Sequence, residues 1–350
     1  MTRDGVWFKL NEYLISINLF QGSSMLKFEQ FIEMTDKLEE ANILISALEL
    51  RLFTHLGKKF SSAAAIAKKL KTPKEGVEAI LNALVAIGAA KKQKSLFANT
   101  SETYKYFCES SPHYKKGTVF LKKDSRSEWE NLINVVKNGR NLEEFEGGDD
   151  PEFRDLFTYA MHERSLAYAK PLAEAVAKKP VGHLADLGGG PGSYSAAILK
   201  KDKKARATLI DRSAAIKVAK EILGTGALAK RFSFIEGDFF EIALEEKYDS
   251  LLFSNILHIY NESENKGLFK KIHKALNSGG RLLIVDLFLN DDQTSPYNAA
   301  LFSLTMLMYT KTGRTYTFNE TEAMLKKTGF GKFKRFKLGK GSSLIEAVKL

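Results

Sequence analysis

The stretch His183-Leu184-Ala185-Asp186-Leu187-Gly188-Gly189-Gly190-Pro191-Gly192-Ser193-Tyr194 reads as a strand, a glycine-rich turn and the start of a helix. Glycines at 188, 190 and 192 let the backbone turn sharply and approach a ligand closely, and a helix start presents free N–H groups to an anion. A dinucleotide fingerprint is spaced G-x-G-x-x-G, whereas this turn is G-x-G-x-G with Ser193 in the last glycine's place. NAD, and with it a reductase, is the weaker reading.

Two later strand ends extend the pattern. Asp211 closes Leu209-Ile210-Asp211, where an acceptor meets the two hydroxyls of a ribose. Gly237-Asp238-Phe239-Phe240 follows the third strand; an acid there accepts from an exocyclic amine while an aromatic ring covers a purine face. Around these turns, strands at His183–Leu187, Ala207–Ile210, Phe232–Glu236, Tyr248–Asn255 and Arg281–Asp286 alternate with helices from about Ser193, near Ala214–Ile222 and near Glu264–Leu276. Such alternation predicts an α/β fold over residues 179–350, a Rossmann-like, doubly wound and mainly parallel sheet with helices on both faces. Lys332–Leu338 and Ser343–Leu350 predict an edge hairpin.

Upstream the chain is mainly helical. Phe28, Phe31, Ile32, Met34 and Leu38, then Ala41, Ile43, Leu44 and Leu48, recur at helical spacing. Ser61 and Ser62 can cap a helix to Leu70, and Thr72-Pro73 breaks it. A second helix then runs to about Ala89 with Val77, Ile80, Leu81, Leu84, Val85 and Ile87 buried, and Ala90–Thr100 reads as a hairpin wing. Residues 27–107 are thus expected to form a winged-helix domain, preceded by an amphipathic arm over 1–26. A helical linker over 108–178 follows and contributes to a substrate pocket. A winged helix suggests a DNA-binding regulator, but the helix that would enter the major groove has no Lys or Arg between Glu75 and Ala90, where phosphate contacts need them.

The formal charge of +11 has much of its excess in the tail, at Lys332, Lys334, Arg335, Lys337, Lys340 and Lys349, so no nucleic-acid partner is expected. A length of 350 residues allows about two domains, and 44% hydrophobic with 27% charged residues excludes a disordered or fibrous chain. The lone Cys108 excludes a disulfide framework and a structural zinc cluster and points to the cytoplasm. Lys9 and Glu12 interrupt the apolar N-terminus, which lacks the features of an export signal. No apolar run approaches the roughly 20 residues that span a bilayer, so no membrane association is expected.

The Asp-Leu-Gly-Gly-Gly-Pro-Gly turn with Asp211 and Asp238-Phe239 resembles the class I S-adenosylmethionine-dependent methyltransferases. Over roughly Phe28 to Leu350 the chain is similar to the small-molecule O-methyltransferases that dimerise through an N-terminal winged helix, the group of caffeate and acetylserotonin O-methyltransferases. The resemblance implies a homodimer and S-adenosyl-L-methionine as cofactor, held by the turn of Asp186, Gly188, Gly190 and Gly192. Gly188 would lie beside its methionine part, Asp211 would hold the ribose, and Asp238 with Phe239 the adenine. Ser254 stands where the family often has a cofactor-binding lysine.

Methyl transfer to a hydroxyl needs an in-line nucleophile, a dry site and a base for the proton. The resemblance implies His258 as that base, in Leu257-His258-Ile259-Tyr260-Asn261-Glu262 against the family's Leu-His-Asp-Trp-Ser-Asp. Ile259 replaces the acid after the histidine, and Thr315 falls where the family has a glutamate. An ordinary imidazole and an ordinary phenol differ by about 3.5 pKa units, or about 5 kcal/mol. Without carboxylates His258 is expected to be a weak base unless Glu262, Glu264 or an acid elsewhere substitutes, which favours an acidic hydroxyl or an activated carbon as acceptor.

Phe157, Met161, His162, Met306, Tyr309 and Thr310 are expected to line an apolar pocket for a small aromatic, hydroxylated acceptor. O-methylation is favoured; C- or N-methylation, or cofactor binding without methyl transfer, are the alternatives. No histidine pair has metal-ligand spacing, and Asp286, Asp291 and Asp292 read as solvated loop acids rather than magnesium ligands, so no metal is expected.

Overall fold

The structure is a computed structural model describing residues 25–140, 150–339 and 341–350, without the side chains of residues 124–128. The expected arm lies outside the described residues except for Met25 and Leu26; Lys340 and residues 141–149 of the expected helical stretch also lie outside. The chain divides after Thr100 into two compact units.

The first unit contains helices α1 (Phe28–Glu49), α2 (Leu52–Leu56), α3 (Ala63–Leu70) and α4 (Lys74–Ala86). Strands β1 (Ser61–Ser62), β2 (Ala90–Gln93) and β3 (Leu96–Asn99) form a sheet in the order β1-β3-β2. Ser62 accepts a hydrogen bond from Ala65 N at 3.2 Å and so caps α3, while Ser61 pairs with Phe97 in the small sheet. Phe53, Ile66, Leu81, Leu84 and Phe97 form the interior. Ile87, expected in the core, is exposed because α4 stops at Ala86. The first apolar positions of α1 are also not interior: Phe28, Phe31, Ile32, Met34 and Leu38 are 72, 53, 43, 48 and 63% exposed, whereas Leu48 near its end is buried.

The second unit opens with α5 (Ser101–Phe107), α6 (Lys116–Glu130), α7 (Leu132–Asn138) and the long α8 (Pro151–Val176). Asp150 caps α8 by accepting from Phe153 N at 3.0 Å, and Pro151 at its first position needs no donor. The alternating part is β4 (His183–Leu187), α9 (Ser193–Lys201), β5 (Arg206–Asp211), α10 (Ser213–Leu223), β6 (Phe232–Glu236), β7 (Tyr248–Ser254), α11 (Glu262–Ala275) and β8 (Leu276–Leu287). Then come α12 (Tyr297–Tyr309), α13 (Phe318–Lys326), β9 (Phe330–Gly339) and β10 (Ser342–Lys349).

These strands form one sheet in the order β6-β5-β4-β7-β8-β10-β9, parallel from β6 to β8. The apolar strands are covered on both faces, as parallel strands must be. Leu268, Phe269, Ile272 and Leu325 pack on one side, and Leu172, Val176, Ile198 and Leu199 on the other. β10 lies inside the sheet between β8 and β9, so only β9 of the expected hairpin is at the edge. The lysines of β9 lie along that edge, where charged side chains oppose pairing with a further strand. Among the described residues no helix is long and apolar enough to cross a membrane. Because β5 and β6 extend one way from β4, and β7 and β8 the other, the strand order reverses between β4 and β7. Open α/β sheets bind ligands in that crevice, at the carboxyl ends of the strands.

Candidate active site

The glycine turn sits in this crevice. Gly188, Gly190 and Gly192 have φ of 67°, 51° and 68°, the left-handed region where a side chain is strained. A Cβ at Gly188 would lie 2.7 Å from Ile256 Cδ1 and 3.3 Å from Phe239 Cε1, so the loops after β6 and β7 both close on the turn. A Cβ at Gly190 would meet nothing within 4 Å, so the backbone there faces open space. Gly190 N and Arg212 N donate to the two carboxylate oxygens of Asp211, each at 2.7 Å, joining the loop after β4 to the end of β5. Asp186 lies beneath the turn, 1% exposed, its Oδ2 accepting from Ser195 Oγ at 2.5 Å; Oδ1 has no hydrogen-bond partner among the described residues. Burial pushes the Asp186 carboxyl up to about 7, and nearby Asp211 pushes it the same way; burial likewise raises Asp211.

Asp238 remains partly exposed, accepting from Phe240 N at 2.8 Å and facing Arg212 Nη2 at 3.4 Å. Phe239, Phe240 and Tyr260 form an aromatic group, with Tyr260 edge-on to both phenylalanines at centroid distances of 6.2 and 4.9 Å. Burial and the Asp238 charge raise the Tyr260 phenol to about 12. Lys271 donates to the carbonyls of Phe239 and Phe240 at 2.7 and 2.9 Å and fixes the loop. Ser254 is buried at the end of β7, in register with Val285.

His258 lies on a short turn after β7 and is 7% exposed. The expected carboxylates are indeed missing at Ile259 and Thr315, yet His258 has one: its Nδ1–H donates to Asp286 Oδ1 at 2.7 Å. Asp286 is 1% exposed, so its reading as a solvated acid is corrected; apolar β8 carries it into the interior. Leu287 N also donates to Oδ1 at 2.7 Å and fixes the carboxylate. The bond at Nδ1 selects the tautomer whose Nε2 is free to take a proton, and the carboxylate stabilises the imidazolium that results. Glu264 is not the substitute: it caps α11 and accepts from Thr312 Oγ1 at 2.5 Å. Glu262 pairs with Lys266.

Phe302 of α12 meets the His258 ring edge-on at 4.8 Å, and Arg164 of α8 lies 5.6 Å from the centre of Phe302. Met306 is buried one turn beyond Phe302, and Tyr309 is half-buried. The Thr310 hydroxyl is engaged internally, donating to Met306 O at 2.6 Å and accepting from Gly313 N at 3.0 Å. On α8, Met161 is half-buried and Phe157 stacks on Phe153 at 6.0 Å. His162 Nδ1 is 2.7 Å from Ser193 Oγ at the start of α9, tying α8 to the glycine turn, and burial lowers its pKa.

Asp286, Tyr260 and Phe302, which the structure places around His258 and the loop after β6, were not legible as neighbours of these residues. A signal for Asp286 existed: Leu-Leu-Ile-Val-Asp is an acid closing an apolar strand, the pattern that marked Asp211. Among the described residues no group of three or more His, Cys, Asp or Glu is placed to hold a metal ion. Asp291 accepts from Asn319, and Asp292 from Thr294 N within its own turn.

A glycine turn at the switch point of this sheet, with a buried histidine–carboxylate pair at the next strand end, defines a nucleoside-dependent α/β transferase. A family model for an O-methyltransferase domain matches residues 129–331, and the chain belongs to that family. It is a methyltransferase whose methyl donor is S-adenosylmethionine. It is 28% identical over 332 residues to a 3-hydroxy-5-methyl-1-naphthoate 3-O-methyltransferase of Streptomyces sahachiroi, covering 91% of this chain and 94% of that one. To the acetylserotonin O-methyltransferase of Bos taurus it is 27% identical over 330 residues, covering 89% and 93%. In fold it matches human N-acetylserotonin methyltransferase, solved in complex with SAM, with a TM-score of 0.80 at 23% identity over 94% and 99% of the two chains.

Proposed function

We propose that this chain methylates the hydroxyl of a small polycyclic or bicyclic aromatic molecule, with His258 as base and Asp286 as the group that orients and charges it. The observation that carries the reading is the 2.7 Å bond between His258 Nδ1 and a carboxylate 1% exposed, at the strand end beside the glycine turn. The relatives that act on a hydroxynaphthoate and on acetylserotonin support the acceptor class. With Asp286 in place, an ordinary phenol is within reach, and the acidic hydroxyl or activated carbon expected without a carboxylate is no longer required.

The residues at the turn fit the cofactor: Gly190 faces open space, and Asp211, with two lone-pair positions beyond its backbone bonds, can still accept from ribose hydroxyls. Gly188, Gly190 and Gly192 would hold the methionine part, Asp238 and Phe239 the adenine, and Asp186 and Ser254 would support the turn and the strand end. When bound, S-adenosylmethionine supplies a methyl group on a positively charged sulfur. His258 takes the hydroxyl proton at Nε2, while Phe302 and Met306 exclude water on one side. Phe157, Met161, His162, Tyr309 and Thr310 complete the pocket wall or hold it in place.

The helices and hairpin before Thr100 are read as a winged helix whose exposed α1 stripe pairs two copies of the chain; beyond Lys74, which pairs with Glu78 at 3.4 Å, α4 offers no cation for DNA. The single buried cysteine suits a reducing, cytoplasmic setting. Screening 3-hydroxy-1-naphthoate, N-acetylserotonin and hydroxylated anthraquinones by mass spectrometry tests the function. A gain of about 14 Da that depends on S-adenosylmethionine and is lost in His258→Asn is the expected result. An undiminished rate in that variant would sink the assignment of the base.

A further inference from the structure

Arg140 lies just beyond α7, after Gly139 turns the chain with φ 82°. Its guanidinium reaches the end of α12 and the loop that follows. Nη1 donates to the carbonyl oxygens of Met306 at 3.3 Å and Thr310 at 2.6 Å and to Thr310 Oγ1 at 3.0 Å, while Nη2 donates to Gly313 O at 2.6 Å. All four acceptors are uncharged oxygens. The last turn of α12 has no basic residue, so Arg140 brings from a distant part of the chain the positive charge that terminal carbonyls favour.

The same loop is wedged against the base. A Cβ at Gly313 would lie 2.1 Å from His258 O and 2.6 Å from Ile259 O, so the Gly313 backbone rests on the turn that carries the imidazole. On the other side, α12 presents Phe302 to the imidazole edge. The geometry points to Arg140 as a positioning residue for methyl transfer. Its fork fixes α12 and the Thr310–Gly313 loop against the His258 turn, and so sets where the acceptor hydroxyl meets Nε2. A lysine is a poor replacement, because a point-like ammonium does not span the Thr310 and Gly313 carbonyls as the planar guanidinium does. This inference rests on the reading of His258 as the base.

The test compares the full-length protein with Arg140→Ala and Arg140→Lys, all with S-adenosylhomocysteine bound. Histidine-selective 15N NMR reads His258 directly, whatever the acceptor, and calorimetry reads the nucleoside affinity. Methylation of 3-hydroxy-1-naphthoate reads catalysis. In Arg140→Ala the His258 signals are expected to shift while those of His183 and His273 stay, with S-adenosylhomocysteine affinity changed less than twofold. Catalytic efficiency is expected to fall about 10- to 100-fold, since a misplacement of ~1 Å suffices for that. Arg140→Lys should recover little, and added guanidinium ion should recover much of the loss in Arg140→Ala. Unmoved His258 signals, or nucleoside affinity falling in step with activity, would overturn the role of Arg140. An active His258→Asn would instead remove the base on which it rests, whereas an inactive His258→Asn beside an unperturbed Arg140→Ala removes only the arginine's role.

Discussion

Replacing Asp286 with Asn separates catalysis from stability. Asp286 Oδ1 accepts two N–H groups, from His258 Nδ1 and Leu287 N, both at 2.7 Å. An asparagine carbonyl keeps that position, because both neighbours donate, and its NH2 goes to the site of Oδ2, a buried atom with no hydrogen-bond partner among the described residues. The imidazole tautomer is retained and only the charge is lost. A hydrogen bond to a charged group contributes about 1.5–3 kcal/mol, so losing its support for the imidazolium should lower kcat about 10- to 150-fold at ~1.36 kcal/mol per decade. Stability should move the other way or not at all. A carboxylate this deeply buried costs several kcal/mol of desolvation, against about 1–3 kcal/mol for an unsatisfied amide. The assay is S-adenosylhomocysteine formation at saturating donor and acceptor, beside urea unfolding of the same preparations. A kcat within twofold of the parent, or an activity loss that tracks a fall in unfolding free energy, refutes the reasoning.

Three further outcomes are expected. Gly188→Ala places a side chain at φ 67° with its Cβ 2.7 Å from Ile256 Cδ1; the backbone alone costs about 1–2 kcal/mol, so S-adenosylhomocysteine should bind roughly tenfold more weakly by calorimetry, and unchanged affinity would take the turn out of the site. Burial raises the folded-state Asp186 carboxyl to about 7. In the unfolded chain it titrates near ~3.9, so the folded state binds more protons between these values, and stability from this group is lost as pH rises from about 4 to 7. Asp186→Asn should remove that part of the slope when urea midpoints are compared at pH 5 and 7.5; parallel slopes in the two proteins contradict it. Phe31→Glu charges the exposed stripe of α1, where Phe31 is 53% exposed, and should convert dimer to monomer in sedimentation velocity. A parent protein that is itself monomeric would dismiss the stripe as an interface.

The alternating strands and helices were legible because each is decided locally. Runs such as Leu184–Leu187, apolar but for Asp186, and the apolar Leu251–Phe253 are bounded by turn residues, and the bounds of β4 and β6 match the expected strands. The glycine turn was legible for the same reason, since backbone freedom at positions 188, 190 and 192 belongs to those residues alone. The stripe of α1 was legible as a helix but not as surface, because periodicity marks an apolar face without saying what covers it.

Contacts between distant residues could not be read this way. Motif spacing placed the partners of His258 at residues 259 and 315, whereas the acid is Asp286, 28 residues away and brought alongside by the parallel pairing of β7 with β8. Arg140 meets Thr310 across 170 residues, and only the packing of α12 brings them together. The sequence by itself determined the order of elements and the glycine turn, since these depend on periodicity and on backbone angles open to glycine. Tertiary structure alone decided which carboxylate meets His258 and which cation meets the end of α12, because a hydrogen bond is settled by a few ångströms between atoms that chain order leaves far apart.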